Sequence, residues 1–204
     1  MATRLAAVVD ASGAVAATRA RSIKMGILAE LLRSVDPGEV AICVGFLSGA
    51  PRQGRVGVGY ATVYGIDLPS AGEPSLTVDD LDRAIDEIAA DSGSGSAARR
   101  RRVLIELLGR ATEPEAEFVR RLLTGDLRQG ALAGVMADAV ASAAGVSAGV
   151  ARRALMLSGD LTRMAEIAIV GGEEGLRAVQ IARTVAPFTD LDISASTGSG
   201  GALR

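Results

Sequence analysis

Apolar residues in this chain recur at helical rather than alternating spacing along nearly its whole length, and that periodicity predicts an all-α fold. Ile23, Ile27, Leu28, Leu31 and Leu32 form one stripe over residues 22–34, which Pro37 closes. Val103, Leu104, Leu107 and Leu108 form another over 97–109, and Leu81, Ile85 and Ile88 a third, behind Thr77 as N-cap with Asp79 and Asp80 suiting the helix dipole. Thr112, with Pro114 and with Glu115 at the capping-box position, predicts a helix ending near Thr124. Gly125 reads as its left-handed stop, followed by a helix over 131–144 that Gly145 ends. Ser147 is placed to cap 148–157, and Gly159 with Asp160 punctuates again. Shorter helices are predicted over 5–9, 39–47 and 56–64, the last weakened by Gly57 and Gly59. This glycine-then-cap rhythm suggests stacked antiparallel helix pairs with no fixed repeat period. The helical pattern fades after Ile181, so the expected organisation is a helical domain over 1–183 and a flexible Ser/Gly-rich tail over 184–204.

The residue inventory removes several chemistries. The chain has no histidine and one cysteine, so zinc sites of the ordinary kind and Ser-His or Cys-His nucleophile pairs are excluded. Cys43 lies in the apolar run Val40-Ala41-Ile42-Cys43-Val44 and reads as a buried filler. Lys24 is the only lysine among 22 basic residues. It follows no P-loop, and Met25-Gly26-Ile27 after it lacks the Asp-Gly pair of covalent nucleotidyl transfer. The carboxylates cluster at helix starts, where dipole complementarity explains them without catalysis. Aromatic residues make up 2% of the chain, too few for a surface that stacks unpaired bases. No run of eighteen apolar residues occurs and the first residues lack the order of a signal peptide, so a cytosolic protein without a membrane partner is expected.

Formal net charge is −2, which leaves a basic surface possible only if charge is segregated. It is segregated: residues 79–91 hold six acids and one arginine, while 97–130 hold eight arginines and five acids. Arg99, Arg100, Arg101 and Arg102 stand at the start of a predicted helix, opposing the positive end of its dipole. A phosphate would satisfy both these arginines and the free backbone N–H groups behind Ser94 and Ser96. The alternative is a solvated patch balanced by Asp91 and by Glu106, four residues beyond Arg102. A second constellation is the turn over 124–130, where Gly125 and Gly130 flank Arg128 and would let the main chain approach a ligand closely. Helix termination and tight helix packing explain the same glycines.

Three segments resemble the DNA-binding domain of bacterial ATP-dependent DNA ligases. They are Thr18-Arg19-Ala20-Arg21-Ser22-Ile23-Lys24, Arg55-Val56-Gly57-Val58-Gly59-Tyr60, and above all EAEFVRRLLTGDLRQGALAGVMADAVASAA over 115–144, with Leu155-Met156-Leu157-Ser158-Gly159-Asp160-Leu161 continuing the likeness. The resemblance runs from about Leu5 to Ile181. It implies a wholly helical domain of two helical halves that grips nicked duplex from the minor-groove side, independently of sequence, in DNA repair, replication and recombination. Carried over by motif, Arg21 and Lys24 would hold phosphates, while Gly125 and Gly130 beside Arg128 would bring backbone against the minor groove; Thr18 and Arg19 in the same turn, and Ser94, Ser96 and Arg99 from the arginine-led helix start, complete the expected DNA-binding residues. It also implies no catalytic residue, cofactor or metal in this chain, ATP and magnesium acting on the catalytic domains of a parent ligase at the bacterial nucleoid. Two rival classes are a helical protein-interaction scaffold, whose arginines pair with an acidic partner, and a sequence-specific helix-turn-helix regulator.

Overall fold

The computed structural model describes residues 2–54, 56–127 and 132–185, the side chains of 132 and 180–185 excepted. Among these residues the structure is all-α, as the periodicity predicts. Ten helices follow in order: α1 (Leu5–Ala17), α2 (Arg21–Ser34), α3 (Val40–Leu47), α4 (Tyr60–Tyr64), α5 (Val78–Ala90), α6 (Ser96–Leu108), α7 (Glu113–Thr124), α8 (Leu132–Ala144), α9 (Ala148–Ser158) and α10 (Leu161–Val185). A 3-10 turn, Pro37–Glu39, leads into α3, and Asp36 accepts a hydrogen bond from the Gly38 amide at its start. The predicted tail over 184–204 lies almost wholly outside the described residues.

Most predicted boundaries hold because the capping chemistry is local. Thr77 and Asp80 close a reciprocal capping box on α5. Thr112 and Glu115 do the same on α7, where Glu115 is fully buried and its Oε2 accepts from the Thr112 amide at 2.9 Å. Gly125 ends α7 in the left-handed conformation, φ 81°.

The differences have physical causes. The first helix reaches Ala17 rather than residue 9, because alanines at 11, 14, 16 and 17 favour helix and Ala11 and Val15 continue its buried stripe past Gly13. Helix α4 is confined to Tyr60–Tyr64, since the left-handed Gly57, φ 66°, keeps 56–59 out of helix. Ile23, assigned by periodicity to the apolar stripe of α2, is 54% exposed. Ser147 precedes α9 without a side-chain cap; instead Glu173 accepts from its amide at 3.1 Å.

The helices fall into two groups that do not follow chain order. Helices α1–α3 pack with α8–α10, with α2 on α8, α9 on α8 and α10, and α3 on α10. The intervening helices form the second group, α5 on α6 and α4 on both α6 and α7, joined to the first through α1 on α7 and α3 on α5. One continuous core runs through both. The backbone at Arg4 and Thr77 forms an isolated antiparallel bridge that ties the first residues to the start of α5.

The α2–α8 contact is parallel. Arg21, which opens α2, bonds Gly134 and Asp138, whereas Arg33, one residue from its end, donates to the Ser142 carbonyl and hydroxyl near the end of α8. Beneath these arginines α2 buries Leu28, Ala29, Leu31 and Leu32, and α8 buries Val135, Met136, Ala137, Ala139, Val140 and Ala141. Cys43 is fully buried in α3, and burial pushes its thiol up to about 12. It should therefore resist thiol-labelling reagents in the native protein at neutral pH and react at once in denaturant, as mass spectrometry would show.

Candidate nucleic-acid interface

Parallel packing sets the positive ends of α2 and α8 side by side, and neither helix carries an acidic residue in its first turn. Helices α1, α3, α4 and α6 likewise have no acidic residue in the first turn, whereas at α5, α7, α9 and α10 carboxylates serve the helix start. Asp79 and Asp80 start α5, Glu113 and Glu115 start α7, Glu173 serves α9, and Asp160 accepts from the Arg163 amide at 3.0 Å to start α10. The α2 end instead gathers cations. Arg19 is exposed and has no partner among the described residues, Arg21 is 60% exposed, and Lys24 is half-buried one turn into the helix with its ammonium likewise unpartnered. Thr18 ends α1, and its hydroxyl accepts from the Ala20 amide at 3.2 Å, fixing the turn.

Arg21 joins two of the segments that carry the resemblance. Its Nη2 donates to the Gly134 carbonyl at 3.2 Å and to Asp138 Oδ2 at 2.7 Å, so the 18–24 turn rests against the first half of α8. Periodicity gives no hint of Asp138, a lone acid in an alanine-rich helix, although an acid so placed requires a buried partner. It has two, since Arg152 of α9 donates through Nε to Asp138 Oδ1 at 2.7 Å. The Arg152 and then the Arg21 guanidinium hold this carboxyl below the usual aspartate range.

Further contacts link the remaining segments in a row. At the end of α7, the Gly125 turn is followed by Asp126, whose carboxylate accepts from the Thr124 hydroxyl at 2.7 Å. Arg128 and Gly130 lie outside the described residues. Helix α4 packs on α7, and Tyr60, 63% exposed, stacks on Tyr64 with ring centroids 4.2 Å apart. Burial first, and then the charge of Glu117, raises the Tyr64 phenol. Just before α4, the Gly57 carbonyl accepts from Arg100 Nη1 at 3.2 Å, which brings in the start of α6.

At that start the four arginines divide their roles. Arg99 donates to both oxygens of Asp91, with Nη2 at 2.6 Å from Oδ1, and to the carbonyls of Ser92 and Ser94. Arg100 donates to the Asp91 carbonyl as well as to Gly57. These two close the 91–95 turn, so the balancing role expected of Asp91 holds, and Arg99 presents a partly neutralised charge. Ser94 is exposed, and the Ser96 amide donates to the Gly93 carbonyl at 3.3 Å. Arg101 and Arg102 are the unengaged pair: both are exposed, and neither has a partner among the described residues, Glu106 included.

Fold and site together define an all-helical domain in which Arg21 of α2 is tied to α8 and Arg100 of α6 to the turn before α4, while most of the carboxylates are paired or serve as caps. Residues 66–141 match the family described as DNA ligase N terminus. The chain is 48% identical over 183 residues to a probable DNA ligase of Rhodococcus jostii, a match covering 89% of this chain and 36% of that protein. It is 49% identical over 186 residues to a probable DNA ligase of Saccharopolyspora erythraea, covering 90% and 36%, and 43% identical over 203 residues to one of Anaeromyxobacter, covering 98% and 39%. The similarity read from the three segments is thus shown, and the chain spans little more than a third of the length of the relatives it matches, over their N-terminal part.

The Asp138 pairing has a measurable pH signature. A carboxyl lowered in the folded state stabilises the fold fully above its ordinary value of 3.8, and that contribution is lost as pH falls below it. Between about pH 4 and pH 2, urea unfolding should show stability falling more steeply for the natural protein than for Asp138→Asn.

Proposed function

We propose that this chain is a non-catalytic module that binds duplex DNA, nicked duplex by preference, without regard to sequence, and presents it to the catalytic domains of an ATP-dependent DNA ligase. The observation that carries the reading is the pair of parallel helix ends, α2 and α8, surrounded by Arg19, Arg21 and Lys24 and left without a carboxylate in either first turn. Adjacent dipole ends and guanidinium groups repel one another, and an anion placed between them relieves both terms. A DNA backbone supplies such anions in a row. Contacts of this kind read charge and shape, so affinity is independent of base sequence and depends steeply on salt.

The probable DNA ligases to which the chain is similar support this reading. Gly125 ends α7, and Arg128 and Gly130 follow it in the sequence. Minor-groove approach by that segment, with Arg128 on a phosphate, belongs to the same proposal. Sealing a strand then requires adenylyl transfer by a lysine of the form that Lys24 is not, and ATP and magnesium would act on the partner domains, in DNA repair and replication at the bacterial nucleoid. Among the described residues no group of three Cys, Asp or Glu stands together to hold a metal ion, and no step here is assigned to one.

Binding measured against salt on nicked and intact duplexes of unrelated sequence tests the proposal. The logarithm of the association constant should fall linearly with the logarithm of salt concentration, with a slope of about −0.9 per phosphate engaged. Affinity should be alike across sequences and higher for the nicked form. Arg128→Ala should weaken every duplex about equally. Absence of binding at low salt would contradict the proposal and favour an acidic protein partner, and selective loss on one duplex would favour a sequence-specific regulator.

A further inference from the structure

Arg152 lies in α9, outside every segment that the sequence motifs single out, yet it shares an anchor with Arg21. Asp138 is 7% exposed and accepts from Arg21 on one oxygen and from Arg152 on the other, both at 2.7 Å. The two guanidinium groups therefore stand beside each other on a single carboxylate. Their charges sum to one more than Asp138 can neutralise, and both side chains remain largely in solvent, 60% and 59% exposed. Arg152 uses Nε alone for this contact, so both of its terminal nitrogens are without a partner among the described residues. Arg21 uses Nη2 alone, which leaves its Nε and Nη1 likewise unpartnered.

A guanidinium fixed through one edge and open at the other is arranged for bidentate capture of a second oxyanion. We infer that Arg152, set beside Arg21 by Asp138, is a phosphate-binding residue that extends the DNA surface from α2 and α8 onto α9. Asp138 is the positioning residue. It holds each side chain in one orientation, so little rotamer freedom remains to be lost when the phosphate arrives. The Gly134 carbonyl contributes to the same arrangement by holding Arg21 at 3.2 Å. Lysine in place of Arg152 keeps the charge but loses the planar fork, which separates attraction from orientation.

This inference rests on the DNA-binding reading above, and the experiment distinguishes the two. Nicked-duplex affinity is measured over a range of salt for the unaltered chain and for Arg152→Ala, Arg152→Lys and Arg83→Ala. Arg83 is the control because it is as exposed as Arg152 but pairs with Asp79 and Asp80 on the acidic helix α5. Circular dichroism melts confirm that each variant is folded. The expected result is a salt slope shallower by about 0.9 for Arg152→Ala, the change for one phosphate fewer engaged, with the slope retained in Arg152→Lys and Arg83→Ala. If Arg152→Ala keeps the full slope, or Arg83→Ala flattens it as much, Arg152 is not a phosphate ligand although the domain still binds DNA. If the unaltered chain shows no salt-dependent binding at all, the functional reading itself fails and this inference with it.

Discussion

Parallel packing of α2 on α8 is the constraint from which the rest of the structure follows. It joins segments more than 100 residues apart, Arg21 to Asp138 and Arg33 to Ser142, and so makes one helical group out of the two ends of the described chain. Small residues allow the approach. Ala29 on α2 and Ala137, Ala139 and Ala141 on α8 are all buried, and the separation of packed helices is set by the side chains between them. Larger apolar residues, Leu28 and Leu32 on one helix and Met136 and Val140 on the other, supply the area removed from water. Once these helices run the same way, their positive ends coincide, and antiparallel packing would have separated them.

The distribution of carboxylates fits this geometry. The acidic segment around α5 is occupied internally: Asp82 and Asp86 both bind Arg52 and Gln53, Asp80 binds Arg83 and Arg110, and Asp91 binds Arg99. Those acids fasten loops to helices. Arg19, Arg101 and Arg102 are left exposed and unengaged among the described residues. A net charge of −2 is therefore compatible with a cationic surface, because many of the negative charges already face arginines of the same chain.

Local structure is legible in the sequence wherever a few neighbouring residues determine it. Thr77 and Thr112 fix their helix starts through side chains three residues on, and Gly125 ends α7 because a left-handed residue is needed there. Helix α1 runs further than periodicity indicates and the 56–64 segment is less helical, since alanine propensity and glycine conformation compete with periodicity in both. Pairing across the chain is not legible. Asp138 announces only that a polar atom in an apolar helix needs a partner, and the sequence does not say that the partners are Arg21 and Arg152. For the same reason the four arginines from Arg99 cannot be divided in advance into two that hold the Asp91 turn and two that face solvent.

The most direct test of the central claim is a titration of the isotopically labelled protein with nicked duplex, followed amide by amide in NMR spectra. Shifts concentrated in residues 18–24, 57–60, 94–102, 125–127 and the first half of α8, with α5 unmoved, are the predicted result. Shifts confined to α5, or scattered over segments that share no contact, would contradict it.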